Sequence, residues 1–142
     1  MTTVRVWVLS SAEADVLDHV APDVFDDPIN AKATRDFLAD DRHHLVVATE
    51  DDVVVGFISA VHYVHPDKPR PELWINEVGV APTHQRRGLA TSMMKTLLQR
   101  AREAWVLTDR SNAAANGLYR LSGGVASVED HVMYSFELAG EP

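Results

Sequence analysis

The chemistry most plainly written in this chain lies in Val78-Gly79-Val80-Ala81-Pro82-Thr83-His84-Gln85-Arg86-Arg87-Gly88-Leu89-Ala90. An apolar alternating run, read as a strand and halted by Pro82, leads there into the start of an amphipathic helix. Such a helix start presents successive unpaired backbone N–H groups and favours an anion. Gly88 removes the Cβ that would hold a phosphate away, and Arg86 and Arg87 add two positive charges beside the same helix end. The expected ligand is a diphosphate. With no cysteine in the chain, a thiol nucleophile, a disulfide framework, an iron–sulfur cluster and a thiolate-zinc finger are all excluded. The seven histidines, including His43, His44, His62 and His65, lack the helical i, i+4 spacing of a zinc site, so no metal is expected. His62 remains open as a minor contact or auxiliary base.

Charge narrows the partners. Thirteen basic against twenty-one acidic side chains give a formal net charge of −8, which disfavours nucleic acid and anionic membrane surfaces. The excess is local: Glu13, Asp15, Asp18, Asp23, Asp26, Asp27, Asp36, Asp40 and Asp41 face only Lys32 and Arg35 within residues 11–41. Such a face either keeps the protein soluble or attracts a polycation. No apolar run approaches the roughly 20 residues that span a bilayer, and no basic-then-apolar leader opens the sequence, so the expected address is cytoplasmic.

The elements that must position these residues alternate between strand and helix signals in a length of 142 residues, read as one domain over 1–142. Val4, Val6 and Val8 mark an opening strand, and Ser10 with Glu13 forms a capping box for a helix through about Val20. Asn30 caps a second helix with Ala33, Phe37 and Leu38 inward. Leu45–Thr49 and Val53–Tyr63 read as a hairpin about Glu50-Asp51-Asp52, and Pro66, Pro69 and Pro71 confine residues 64–71 to a loop. Leu73–Val80 is the next strand. Ala90, Met93, Met94, Leu97, Leu98 and Ala101 trace a core-facing helix over Arg87–Ala104. Trp105–Thr108, a helix over Ala113–Leu121 stopped at Gly123-Gly124, and paired strands Val125–Val128 and Met133–Leu138 complete the chain. The order β-α-α-β-β-β-α-β-α-β-β predicts an α/β (α+β) mixed sheet with helices on both faces.

Gln85-Arg86-Arg87-Gly88-Leu89-Ala90, set between such a strand and helix, resembles the pyrophosphate signature of the GNAT superfamily of N-acetyltransferases. Asn112-Ala113-Ala114-Ala115-Asn116-Gly117-Leu118-Tyr119 resembles that superfamily's Asn-x-x-Ala-x-x-Leu-Tyr segment, and the element order agrees from Val4 to Leu138. Ser122-Gly123-Gly124 departs from the usual apolar residue, Gly and aromatic. A narrower resemblance, carried by Pro69-Arg70-Pro71-Glu72 and the His84-Gln85-Arg86-Arg87-Gly88 loop, is to the aminoglycoside 3-N-acetyltransferases of the gentamicin and fortimicin type. Phe25-Asp26-Asp27 fits it less specifically. Those enzymes usually carry Asp and Tyr where this chain has Glu77 and Asn76.

The resemblance implies acetyl-coenzyme A as co-substrate and a cationic amine as acceptor, with a homodimer as the assembly. It implies contacts to the co-substrate from Val78, Val80, Gln85, Arg86, Arg87, Gly88, Leu89, Ala90 and Asn112. Tyr119 would protonate the departing thiolate, Glu77 would serve as base or ammonium anchor, and Asp26 and Asp27 would border the acceptor. Backbone N–H groups around Val78–Val80 would meet the oxyanion, with Pro82 forcing the strand out of regular pairing. Blander roles stand beside these: Glu77 as a surface carboxylate, Tyr119 as packing and Asn112 as a helix cap. Three functions follow. The first is 3-N-acetylation of an aminoglycoside, the second acetylation of a polyamine, another small amine or a peptide, and the third acetyl-coenzyme A sensing without turnover.

Overall fold

The computed structural model describes residues 3–140. Five strands form one sheet in sequence order: β1 (Arg5–Val8), β2 (His43–Glu50), β3 (Val53–Tyr63), β4 (Glu72–Val80) and β5 (Ala104–Val106). The first four are antiparallel neighbours, and β5 joins β4 in parallel. The β2–β3 hairpin turns on Asp51 and Asp52, both at positive φ, as a two-residue loop with matching twist requires. Helices α1 (Ala31–Ala39), α2 (Leu89–Leu98) and α3 (Ala113–Leu121) complete the fold with a 3-10 helix over Ser11–Asp18.

Strand alternation sorts the sheet into two faces. One carries Val46, Ile58, Leu73 and Ile75, nearly or fully buried among Met93, Met94 and Leu97 of α2. The opposite face carries Leu45, Phe57 and Ser59 under the 3-10 helix, the 19–29 segment and α1. The 19–29 segment is tied to the sheet before it crosses: the Val54 N–H donates to the His19 carbonyl and the Ala21 N–H to the Val54 carbonyl, at 2.9 Å each. It then runs so close to β4 that a Cβ on Gly79 would stand 2.2 Å from the Val24 carbonyl oxygen and 2.6 Å from the Phe57 ring. Phe25 stacks on Phe57 with centroids 3.9 Å apart.

Three expectations are corrected. The first helix keeps its capping box, but Glu13 leaves helical geometry and the segment winds as 3-10 rather than α. The long helix begins at Leu89 and ends at Leu98; Arg100 and Ala101 donate back to Leu97 and Leu98, tightening the chain so that β5 can start at Ala104. The strands expected at Val125–Val128 and Met133–Leu138 are not formed: residues 125–138 pair with no strand and leave Val125, Val128, Tyr134, Phe136 and Leu138 exposed. Period-two alternation marks a segment as able to pair, but an edge must receive it, and β5 offers only three residues.

Because both neighbours of Gly79 are rigid, Gly79→Ala should displace the 24–28 segment and destabilise the fold by about 2–3 kcal/mol, read from urea unfolding. Equal stability would mean that the segment does not press on β4.

Candidate active site

β4 is bound on both edges only over its first residues. Leu73, Trp74 and Ile75 pair with Ala104, Trp105 and Val106, after which β5 ends. The short contact is firmly held: Trp74 stacks on Trp105 at 5.3 Å, and the Trp105 Nε1–H donates to the Tyr63 hydroxyl at 2.6 Å. On its other edge β4 stays paired to β3 as far as Val80, and the next N–H, of Ala81, donates to Val55 at 2.8 Å. Alternation therefore turns the N–H groups of Val78 and Val80 to the open edge. The expected outlet for those two donors is present, but its cause is the end of β5 and not Pro82, which lies beyond the last paired residue.

One irregularity decides where Glu77 points. Ser59 pairs with Glu77 and Ala60 with Ile75, so Asn76 is an extra residue, a β-bulge. The bulge directs Asn76 and Glu77 together into a cleft of about 380 Å³ whose lining includes Asp26, Asp27, Ser59 and the apolar Phe37, Leu45 and Phe57. Glu77 thus shares one cleft with Asp26 and Asp27. The Glu77 carboxylate accepts a long bond from the Asn76 amide at 3.4 Å. All three carboxylates are exposed. His62 belongs to the opposite face, since it alternates with Ser59 and Val61; its Nδ1 lies 2.7 Å from Nε2 of His44. Burial, and then the neighbouring His62, push the His44 pKa down to about 4, so it is neutral at physiological pH. His62 is thereby removed from the acceptor side.

The 85–90 loop lies at the far end of β4. The Gln85 amide donates to the Val80 carbonyl at 3.3 Å, fastening the loop to the open strand edge. His84 bonds to Glu50 of β2, which fixes the loop from below. Arg86 and Gly88 both have positive φ, 63° and 77°, the left-handed geometry from which concave anion nests of backbone N–H groups are built. Gly88 is the N-cap of α2 and offers no side chain to cap it, and a Cβ placed there would meet nothing within 4 Å. The space above the nest is open, and the exposed Arg86 and Arg87 flank it, so these residues fit a pyrophosphate.

On α3, Asn112 caps the helix by accepting from the Ala115 N–H at 3.0 Å. Its amide nitrogen is not used by that bond. Tyr119 is half-buried against the core, and burial raises its phenol above the ordinary range, keeping it protonated at neutral pH. The helix ends in a Schellman motif, with Gly124 and Gly123 donating to Tyr119 and Arg120 at 2.8 and 3.0 Å. Ser122-Gly123-Gly124 thus provides a helix stop, and the Ser122 hydroxyl donates to Leu118 at 2.8 Å. Asn112 and Tyr119 do not line the cleft of Glu77; α3 packs instead against α2.

Sequence reasoning missed Ser59, Asn76, Phe57 and Gly79. A signal existed for one of them: Ser59 is the lone hydroxyl in the apolar run Val53–Val61.

Residues 10–123 match the profile of the acetyltransferase (GNAT) family, and the chain belongs to that family. It is 38% identical over 73 residues to the L-2,4-diaminobutyric acid acetyltransferase of Virgibacillus pantothenticus, a match covering 51% of this chain and 44% of that protein. The matched segment thus spans less than half of that relative. Among solved structures, an aminoglycoside acetyltransferase, HMB0005, from an uncultured soil metagenomic sample superposes with a TM-score of 0.80 at 23% identity, covering 96% of this chain and 99% of that one. The aminoglycoside N-acetyltransferase AAC(6')-Iy, solved in complex with CoA, gives 0.70 at 19% identity over 96% of each. These two establish the fold. No described helix is long and apolar enough to cross a membrane.

The nest makes a direct test possible. Gly88→Val places a branched side chain where φ is positive and where the diphosphate would sit, and should weaken coenzyme A binding at least about 10-fold by calorimetry. Unchanged affinity would remove the loop from the binding site.

Proposed function

We propose that the protein is an acetyl-coenzyme A-dependent N-acetyltransferase for a small cationic amine. The observation that carries this reading is the placement of two oppositely charged sites at one strand: Glu77 with Asp26 and Asp27 on the cleft side, and the Arg-flanked nest beyond Val80. A thioester supplies the activated acyl carbon. Glu77 takes a proton from the acceptor ammonium or holds it in place, since only the free amine has the lone pair that attacks. The Val78 and Val80 N–H groups donate to the oxyanion as the tetrahedral centre forms. As the carbon–sulfur bond breaks, Tyr119 gives its proton to the thiolate. The acceptor nitrogen gives up one proton before attack, which passes through Glu77 to solvent, and a second as the tetrahedral centre collapses, which restores the Tyr119 phenol; the products are an amide, a free thiol and one released proton.

For the acceptor, the reading favours an aminoglycoside, supported by the acidic 11–41 segment above the cleft and by the fold shared with aminoglycoside acetyltransferases. Acetylation at the 3-nitrogen rests on the Pro69–Gly88 resemblance alone. A cleft of about 380 Å³ is large enough to receive one ring of such a molecule. A diamine acid or polyamine is the second reading, favoured by the diaminobutyrate acetyltransferase relative. A homodimer is the assembly that fits the apolar residues left uncovered between 125 and 138.

Two variants and a panel of amines test this. Glu77→Gln should lose activity most steeply near neutral pH and recover part of it in alkali, where free amine exists unaided; a pH–rate profile parallel to the parent's would remove Glu77 as base. Aminoglycosides should give higher kcat/KM than monoamines in the same coenzyme A release assay, and an equal or reversed order would return the acidic face to a solubilising role. Tyr119→Phe should slow the single-turnover step about 100-fold or more with coenzyme A binding nearly intact. Because burial raises its phenol, the parent should lose activity through Tyr119 only in strong alkali, beyond the range where a free phenol ionises. Loss of a group titrating near pH 8 on making that substitution would contradict the assignment.

A further inference from the structure

Ser59 stands out as the polar atom at the floor of the acceptor cleft. It is 7% exposed, its Oγ is buried, and among the described residues that oxygen has no hydrogen-bond partner. Leaving a buried hydroxyl unpaired is destabilising, so such a group calls for a partner that the protein itself does not provide. Ser59 lines the cleft and pairs directly across from Glu77 at the bulge, which puts their Cβ atoms about 4.5–5.5 Å apart on one face. Around it the wall is apolar: Phe37, Leu45 and Phe57. A molecule entering here meets a carboxylate at the rim and carbon along the wall, and the Ser59 hydroxyl lies just beneath the floor, where a turn of its side chain presents it to the cleft.

We propose that Ser59 sets acceptor specificity, its hydroxyl pairing with a second polar group on the carbon next to the one that bears the reacting nitrogen. The inference rests on the acetyltransferase reading and narrows it: the acceptor class is the vicinal amino alcohols and vicinal diamines, presented on a ring or chain whose C–H face packs on Phe37 and Phe57. Two heteroatoms on adjacent carbons are a hydrogen-bond length apart, close enough for one to reach Glu77 while the other reaches its cross-strand neighbour Ser59. A simple amine leaves the Ser59 hydroxyl unpaired inside the closed complex and so binds less well. A long polyamine with its nitrogens several methylenes apart places carbon against Ser59 and incurs the same loss.

The test compares trans-2-aminocyclohexanol with cyclohexylamine, in the parent protein and in Ser59→Ala. The parent should favour the amino alcohol about 10-fold in kcat/KM, and the substitution should bring the two amines to near parity. A preference that persists in Ser59→Ala overturns the proposal. Thermal unfolding without ligand gives a second, independent readout. Removing a hydroxyl that has no protein partner should leave Tm unchanged or raise it, whereas a clear fall would show that the hydroxyl is structural and would overturn the proposal. If neither amine is acetylated by the parent, calorimetric binding of trans-2-aminocyclohexanol decides Ser59, while the panel of aminoglycosides decides the acceptor reading above. Weaker binding by Ser59→Ala upholds the contact, and equal binding overturns it.

Discussion

β4 has one free edge from Asn76 to Val80, and the site is organised around that half-paired strand. A backbone donor in the middle of a sheet is spent on its neighbour, so a strand that must offer N–H groups to a ligand has to lose a neighbour. Here the loss is local, because Trp74, Trp105 and Tyr63 hold β5 against the beginning of β4 while the chain of β5 ends at Val106. Past the bulge at Asn76 the β3 edge stays paired from Glu77 to Val80, which holds the exposed half in place. Gln85 then ties the following loop to the Val80 carbonyl, so the nest at Arg86–Gly88 is registered to the same free edge.

The strand also separates charge. Carboxylates from three chain positions converge on one side, and two guanidiniums flank the nest past the other end of β4. On the proposed reading the acceptor is cationic and the co-substrate polyanionic, so each finds an attractive surface at its own site and a repulsive one at the other. The carboxylates are exposed and act through solvent over about 8 Å at physiological salt, which serves encounter more than tight holding. The close fit comes from the floor of the cleft, where Phe57, Leu45 and Ser59 are dehydrated and a single hydrogen bond discriminates more strongly than at the rim.

Gly79 links the two roles. Its missing side chain lets the Val24 carbonyl approach β4, which brings Phe25 onto Phe57 and sets Asp26 and Asp27 over Glu77. The acidic segment is thus positioned by packing rather than by its charge. Its carboxylates would repel one another if packing did not hold them, and the Phe25–Phe57 stack supplies that anchor.

By itself the sequence determined the local pieces: the Asp51-Asp52 turn, the Asn30 and Asn112 caps, the Gly88 helix start with its paired arginines, and the strand that carries Glu77. Each depends on residues within a few positions of one another, so side-chain type and spacing suffice. Tertiary structure decided what depends on a distant partner. The bulge at Asn76 exists only in register with β3, the free edge of β4 only because β5 stops, and the burial of a Ser59 hydroxyl unpaired among the described residues only because Ser59 sits between Leu45 and Glu77 in the sheet. The alternation of Tyr134, Phe136 and Leu138 is a strand pattern as plain as that of β1, yet no edge receives it within the described chain. A strand is a property of a pair, and one sequence segment holds only half of it.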